Sequence, residues 1–311
     1  MSVWHEGERV SSVEALSSNR KNRDTRPKVT VPSLLQKKHS ALKITCVTSY
    51  DCPSARLADE AGLDLVLVGD SLAMVMLGHE STLAVTMDEM LIFTRAARRG
   101  LQHALLVADM PFGSYQADPH DALRNAIRFV KEGGAEAVKL EGGRERADLV
   151  RRLVDAEIPV MGHIGLTPQA VNRMGGYKVQ AKSSEHIEQL REEAHLLAGA
   201  GCFSIVLEGI PREVAGMLTS ELPIPTIGIG AGPDCDGQIL VWHDLLGLGE
   251  RAPAKFVRRY LDSATLMREA LSTYRSDVET GSFPSDDESY HLPRKPHEAG
   301  AEQRYLTLEK A

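Results

Sequence analysis

Short apolar runs alternate with longer amphipathic stretches through the middle of the 311-residue chain. Eight runs are too short for helices and rich in β-branched residues, which is typical of buried parallel strands. These predicted strands are residues 44–49, 65–68, 104–108, 137–140, 160–162, 204–207, 226–229 and 239–241. The eighth, within QILVW, is so short that it fits a loop almost as well.

The stretches between these runs carry helix signals. Thr86 begins one helix, with Glu89 three residues on, which is a capping-box pattern. Asp118-Pro119 opens another that runs to about residue 132 and stops at Gly133-Gly134, and residues 185–200 form a third. Regular strand–helix alternation predicts a parallel sheet, and eight units favour a closed (β/α)8 TIM barrel over an open sheet.

Composition narrows the class of protein. The hydrophobic share is 42% and the charged share 25%, which is ordinary for a globular domain with a large core. A net charge of −7 argues against a general nucleic-acid binder, and no apolar run is long enough for a membrane span. The first residues, MSVWHEGERVSS, lack a signal-peptide layout, and the four cysteines form no CxxC pair. We therefore expect a cytoplasmic protein with reduced thiols.

One predicted domain lies between the two polar ends of the chain. Residues 1–32 lack sustained periodicity and are expected to form a flexible N-terminal extension, and residues 284–311 a C-terminal tail rich in Pro, Ser and charge. The (β/α)8 barrel is therefore predicted to be a single catalytic domain over residues 33–283.

Polar residues repeatedly stand at the carboxyl ends of different predicted strands, which is the face where barrels build active sites. They are Asp70, Ser71, Asp109, Lys139, Glu141, His163 and Glu208. Three carboxylates that converge there need a cation, and all-oxygen ligands suit Mg²⁺ or Mn²⁺ rather than Zn²⁺. Asp70, Asp109 and Glu141 are thus the candidate metal ligands, although Asp70 taken alone is more typical of a helix cap or a turn former.

The remaining strand-end residues each have a functional and a structural interpretation. Lys139 and Glu141 lie two apart on one strand and face the same side, so Lys139 is either an anchor for an anionic substrate or part of a structural ion pair. His163 is either a ligand-facing group or a satisfied core histidine. Glu208 lies between apolar neighbours and suits a general base, unless an Arg or Lys pairs with it.

Several ordered blocks make the chain similar to a known family. TSYD, LVGDSLAMVMLGHESTL, ADMPFGSY, AVKLEGG, GHIGLTPQ, GGYKVQ, IPTIGIGAG and CDGQILVWHD closely resemble the ketopantoate hydroxymethyltransferases. The similarity runs from about residue 33 to 283 and includes FPSDDESYH. Two small departures, Ala73 in GDSLAM and the residue after Glu208, remove no chemical group.

The resemblance implies a Mg²⁺-dependent TIM barrel that transfers a one-carbon unit from 5,10-methylenetetrahydrofolate to 3-methyl-2-oxobutanoate, through Mg-assisted enolate formation. The family's metal carboxylates correspond to Asp70, Asp109 and Glu141. Its substrate contacts correspond to Asp70, Ser71, Asp109 and Lys139, with His163 as a further substrate-side residue, and its proton acceptor to Glu208. Family members are large homo-oligomers, commonly decamers. The apolar helix over residues 90–97 is expected to be exposed, which would support an oligomer here.

Two rival interpretations remain. A lyase or mutase of the isocitrate lyase and phosphoenolpyruvate mutase type would use a similar barrel, Mg²⁺ and an oxo-acid-like ligand, but the KKCGH string of the lyase branch is absent from the sequence. A non-catalytic scaffold would lack a metal ligand or a base, whereas every candidate group is present.

Overall fold

A computed structural model of the chain describes residues 26–249 and 254–292. Eight parallel strands follow one another in chain order and close into a barrel, with β8 paired to β1. They are β1 (Ile44–Thr48), β2 (Leu65–Val68), β3 (Leu105–Asp109), β4 (Ala137–Lys139), β5 (Val160–Gly165), β6 (Ser204–Glu208), β7 (Thr226–Ile229) and β8 (Gly237–Leu240). The predicted TIM barrel is confirmed, including its eighth strand.

Helices of very different lengths connect the strands. The longer ones are α1 (Val31–His39), α2 (Cys52–Glu60), α4 (Met87–Arg98), α5 (Pro119–Arg128), α6 (Ala147–Asp155), α8 (Ser184–Gly199), α9 (Arg212–Glu221) and α11 (Ser263–Thr280). Single turns form α3 (Leu72–Val75), α7 (Val171–Met174) and α10 (Trp242–Leu245). None of the helices within the described ranges is both long and apolar enough to cross a bilayer.

Local signals place the helix ends. The capping box of Thr86 and Glu89 is present, and Asp118 caps α5 through the N–H groups of His120 and Asp121. The regular part of α5 is shorter than predicted, because the chain widens into a π-turn over Phe129–Gly133 before Gly134 ends it at φ +71°. Gly134 suits this position since the left-handed region disfavours residues with a side chain.

One expectation about α4 is wrong. Its apolar residues Met90 and Leu91 are buried against the barrel, and Ile92, 55% exposed, is the large apolar side chain that it presents to solvent. The helix therefore offers no broad apolar surface of the kind expected for residues 90–97, because its apolar stripe is used in the core.

Two apolar layers hold the barrel. The outer layer fills the space between strands and helices, and the inner one fills the barrel itself. The inner layer takes every second residue of the strands, for example Leu65 and Leu67, and Leu34 of α1 packs into it. A packed interior of this kind leaves the strand ends as the place for polar chemistry.

The described residues fall into two compact units, one up to Leu261 and the other from Asp262 onward. In the second unit, Tyr274 of α11 packs edge-on against Phe283 with ring centroids 5.5 Å apart. At the amino end, Val29 already donates a backbone hydrogen bond to His103. Residues 1–25 and 293–311 of the predicted extensions lie outside the described ranges, and the predicted boundaries at 32 and 283 stay predictions.

Candidate active site

The inner core of the barrel continues directly into a polar layer. Side chains two residues apart on a strand face the same side, so the residue two positions after an inner apolar residue also points inward. Val107, Ala137, Met161 and Val206 belong to the inner core. The residues two positions after them are Asp109, Lys139, His163 and Glu208. One rule of alternation thus gathers four predicted site residues at the carboxyl end of the barrel.

Lys139 and Asp109 form the most tightly packed pair of this layer. They are partners in the register of β3 and β4, and the Lys139 Nζ lies 2.8 and 2.7 Å from the two Asp109 carboxylate oxygens. Glu141 Oε1 lies 3.7 Å from the same Nζ. Burial alone would lower the pKa of Lys139, but the surrounding carboxylates outweigh it and hold that pKa above its ordinary value. Lys139 is therefore a fixed positive charge.

Asp70 joins this pair from the end of β2. Its backbone N–H donates to Asp109 Oδ2 at 3.1 Å, and its own carboxylate accepts a hydrogen bond from Gln169 rather than capping a helix. Burial raises the pKa of Asp70, and the negative charges of Asp109 and Glu141 raise it further. Burial also raises the pKa of Asp109, although Lys139 acts in the opposite direction. These buried carboxylates therefore repel one another, and each opposes the ionisation of its neighbours.

His163 lies between two carboxylates. Its Nδ1 is 3.3 Å from Glu141 Oε1 and its Nε2 is 3.2 Å from Glu208 Oε2, at ion-pair distance but without hydrogen-bond alignment. Burial and Lys139 lower the pKa of His163, yet the two carboxylates outweigh them and raise it to about 9. For Glu141 the balance is the reverse: burial acts to raise its pKa, but His163 and Lys139 lower it overall. A charged imidazole here links the Lys139 cluster to Glu208.

Gln169 is a site residue that the sequence reasoning missed. Its backbone N–H donates to Glu141 Oε2 at 3.0 Å, and its Nε2 donates to Asp70 Oδ2 at 2.9 Å and to the Met110 carbonyl at 2.9 Å. Its Oε1 accepts from the Tyr115 hydroxyl at 2.7 Å and from Gln116 Nε2 at 3.1 Å. Gln169 lies in a single 3-10 turn (Pro168–Ala170) after β5, so no strand alternation indicated it, and the block GHIGLTPQ was its only signal.

Ser71 is held by a second network. Its hydroxyl lies 2.9 Å from the Tyr50 hydroxyl, which accepts a hydrogen bond of 2.7 Å from Thr48. The backbone N–H of Trp242 in turn donates to Thr48 Oγ1 at 2.9 Å. Tyr50 and Thr48 were not predicted as site residues, although the block TSYD contains both. They fix where the Ser71 hydroxyl stands relative to Asp70.

The negative charge of the three candidate metal ligands suits a small hard cation. Asp70, Asp109 and Glu141 are buried together, and Glu141 Oε1 has no hydrogen-bond partner. Lys139 and His163 are the positive groups of this cluster. With Glu208 included, four carboxylates face these two positive groups. Over residues 26–249 and 254–292, no three His, Cys, Asp or Glu side chains are already grouped as a metal-binding set. The three metal ligands therefore stay a prediction.

Comparison with solved structures places the barrel among known folds. A phosphoenolpyruvate phosphomutase from Streptomyces platensis subsp. rosaceus superposes with a TM-score of 0.55 and 14% identity, over 84% of this chain and 92% of the other. A phosphonopyruvate hydrolase solved with oxalate and Mg²⁺ gives a TM-score of 0.54 and 14% identity, over 83% and 92% of the two chains. At this identity the likeness shows the fold alone.

Sequence comparison is much more specific. A family model described as ketopantoate hydroxymethyltransferase matches residues 28–286. A 3-methyl-2-oxobutanoate hydroxymethyltransferase from Koribacter versatilis is 63% identical over 272 residues, 88% of this chain and 92% of that protein. The enzyme of that name from Geobacter sulfurreducens is 55% identical over 261 residues, 84% of this chain and 98% of that protein. The chain belongs to the ketopantoate hydroxymethyltransferase family.

Proposed function

We propose that the chain transfers a hydroxymethyl group from 5,10-methylenetetrahydrofolate to 3-methyl-2-oxobutanoate, giving 2-dehydropantoate for pantothenate synthesis. One observation supports it most directly. In the polar layer, the side chains of Asp109, Lys139, Glu141 and His163 are at most 5% exposed, whereas that of Glu208 is 15% exposed. Of these five side chains, the one that a substrate reaches most readily is thus a carboxylate, with His163 directly behind it.

Glu208 suits the role of the base. Its Oε2 contacts His163 Nε2, and no Arg or Lys of the described residues pairs with it. The base takes the proton from C3 of the oxo acid, the carbon next to the ketone, and a well-placed base adds about 10²–10⁴ in rate. The electron pair of that C–H bond then forms the bond to the one-carbon unit. Water supplies the oxygen of the new hydroxymethyl group, and tetrahydrofolate leaves.

The other polar groups of the layer suit an anionic substrate. Lys139 and His163 supply positive charge, and the Ser71 hydroxyl supplies a hydrogen-bond donor next to Asp70. Asp70, Ser71, Asp109, Lys139 and His163 are the residues we assign to the oxo acid. Because Gln169 ties Asp70 to Glu141, it fixes the spacing of two carboxylates within this subsite.

Asp70, Asp109 and Glu141 would hold Mg²⁺ or Mn²⁺ through carboxylate oxygens. A cation bound there polarises the ketone as a Lewis acid, an effect worth several kcal/mol. Hydrogen bonds from Gln169 to Asp70 and Glu141 would keep the carboxylates in place for it.

The direct test is an assay for 2-dehydropantoate with both substrates, with and without a chelator. We expect product only when methylenetetrahydrofolate is supplied, and we expect the chelator to abolish it until Mg²⁺ is restored. Product that persists in the chelated protein would contradict the metal assignment. A folate-independent product from isocitrate would instead favour the lyase interpretation.

We also propose a cytoplasmic homo-oligomer, larger than a dimer and of decamer size, which binds neither nucleic acid nor membranes. Support comes from α11, on which Met267, Leu271, Tyr274 and Val278 are about half exposed or more at helical spacing. Exposed apolar rows of this kind mark protein interfaces. Light scattering that shows a stable monomer at micromolar concentration would contradict this assembly.

A further inference from the structure

A cavity of about 260 Å³ opens beside the polar layer, between the ends of β4 and β5. We propose that it binds the p-aminobenzoylglutamate part of the folate donor, with Arg146 and Arg173 receiving the carboxylates and Phe112 packing on the ring. This inference rests on the proposed function, since it assigns a place to that function's second substrate.

The position of the cavity connects it to the chemistry. Glu141, Gln169 and Tyr115 line its inner side, and the first two hydrogen-bond to each other within the site described above. A ligand in the cavity therefore has one end next to the oxo-acid subsite. The reactive methylene of the donor adjoins the p-aminobenzoyl nitrogen, so a tail that extends outward from this point leaves the methylene near the site.

Two arginines on the outer side of the cavity are without carboxylate partners in the described part of the chain. The Arg146 guanidinium stacks over the Tyr115 ring, with Cζ 5.4 Å from the ring centroid, and its buried Nε has no hydrogen-bond partner. Arg173 forms no ion pair with a described residue, although its charge acts at longer range on Glu193, with which it lines a neighbouring cavity. An arginine that an aromatic ring orients keeps its charge available, and its planar fork suits a carboxylate. Exposed Glu145 also lines the cavity, and its negative charge partly offsets the positive charge of the two arginines.

Apolar groups complete the lining. Phe112 is 49% exposed, which is high for an aromatic side chain, and Leu83 lies in the same wall. An aromatic ring packed on Phe112 gains burial and about 0.5–1.5 kcal/mol of ring–ring interaction. A cavity of this size is smaller than the roughly 300–1,000 Å³ of pockets that enclose a whole drug-sized ligand. It therefore suits one part of the donor, and an aromatic ring bearing carboxylates matches its lining.

The experiment titrates p-aminobenzoyl-L-glutamate into the intact protein and follows binding by NMR. We expect Arg146→Ala and Arg173→Ala each to weaken this binding by about tenfold or more, the loss of a charge-assisted hydrogen bond. The neutral probe p-aminobenzamide should bind more weakly and should not respond to either substitution. Phe112→Ala should weaken both probes, because it removes the ring surface.

Arg144→Ala is the matched control. Arg144 lies two residues before Arg146 and carries the same charge, but it pairs with Glu192 on the outside of the barrel and lines a different depression. We expect it to leave fragment binding unchanged. Equal losses in the Arg144, Arg146 and Arg173 variants would mean a general charge effect and would overturn the subsite, as would fragment binding that neither Arg146→Ala nor Arg173→Ala weakens.

Separate readouts distinguish this subsite from the proposed function. Affinity for 3-methyl-2-oxobutanoate should be unchanged in the Arg146 and Arg173 variants, and a loss there would assign the arginines to the oxo acid and overturn the inference. Wild-type protein that forms 2-dehydropantoate but shows no fragment binding would also overturn it, while leaving the proposed function intact. Fragment binding that needs the two arginines in a protein without transferase activity would retain the subsite and contradict the proposed function.

Discussion

Buried aspartates lie at both ends of this barrel, and their surroundings differ in kind. At the amino ends of the strands, Asp59 accepts the backbone N–H groups of Gln102, His103 and Ala104 at 3.1, 2.9 and 2.7 Å. At the carboxyl ends, Asp109 shares one lysine with Glu141, and Asp70 is crowded by both. The charge of Asp59 is thus stabilised by three backbone N–H dipoles, whereas Asp70, Asp109 and Glu141 are several like charges around few cations.

The difference predicts which end of the barrel stabilises the fold and which end does the chemistry. A carboxylate that accepts several backbone N–H groups stabilises the chain where it turns into a strand. A carboxylate crowded by others destabilises the folded protein, and such crowding is typical of sites that bind a cation or a substrate. One substitution, acid to amide, keeps the size of the side chain and separates the two roles. Four such substitutions follow.

Glu208→Gln should have the largest effect. The variant should still bind 3-methyl-2-oxobutanoate, because Gln keeps the size and polarity of the side chain, but a neutral amide is no base at pH 7. We expect the exchange of the C3 proton with deuterated water to fall by about 10² or more. Exchange is measured by NMR without folate, so folate binding cannot influence it.

Glu213→Gln, an exposed position in the first turn of α9, is the control and should exchange at the wild-type rate. If the Glu208 variant binds substrate and exchanges the proton normally, Glu208 is not the base.

Asp109→Asn should remove metal-dependent binding of the oxo acid, lowering affinity by about 100-fold or more since a hard cation loses a charged ligand. Asn is preferable to Ala here, because Ala would leave buried Lys139 without its closest partner. Calorimetry with and without Mg²⁺ measures the effect. Unchanged Mg²⁺-dependent affinity would contradict the role of Asp109 as a ligand.

Asp59→Asn should give the opposite profile. The amide replaces one carboxylate oxygen with a donor that faces backbone N–H groups, so we expect the free energy of unfolding to fall by about 2 kcal/mol. The C3 exchange rate of the folded variant should not change. Denaturant unfolding measures the first quantity, with exposed Glu60→Gln as a control that stays within about 0.5 kcal/mol. A stable Asp59 variant with impaired exchange would contradict the division between the two ends.

Asp70→Asn should have the smallest effect on stability, and in the opposite direction to Asp59→Asn. Removing one of the crowded buried charges should stabilise the metal-free protein by about 1 kcal/mol at pH 7, while Asn keeps the oxygen that accepts from Gln169. Denaturant unfolding in a chelator is the measurement. A destabilised variant would show that Asp70 is satisfied within the fold and is not a crowded charge.

Much of the site followed from the residues at the strand ends. Asp70, Asp109, Lys139, Glu141, His163 and Glu208 were predicted from that rule and do meet at one end of the barrel. The exposed apolar face expected on α4 was wrong, because periodicity shows that a helix has an apolar stripe but not what covers it. Gln169, Tyr50 and Thr48 were missed, since loop residues and hydroxyl networks have no periodic signature.

The sequence alone determined the number of strands, the inward-facing positions and the helix starts, because alternation and capping depend on neighbours within a few residues. Only the tertiary structure decided which of these groups touch. Gln169 binds an aspartate 99 residues away, and Lys139 binds one 30 residues away, through closure of the barrel. Arg146 takes its place over Tyr115 for the same reason. Distances between such residues depend on how all eight strands pack together, which no local pattern encodes.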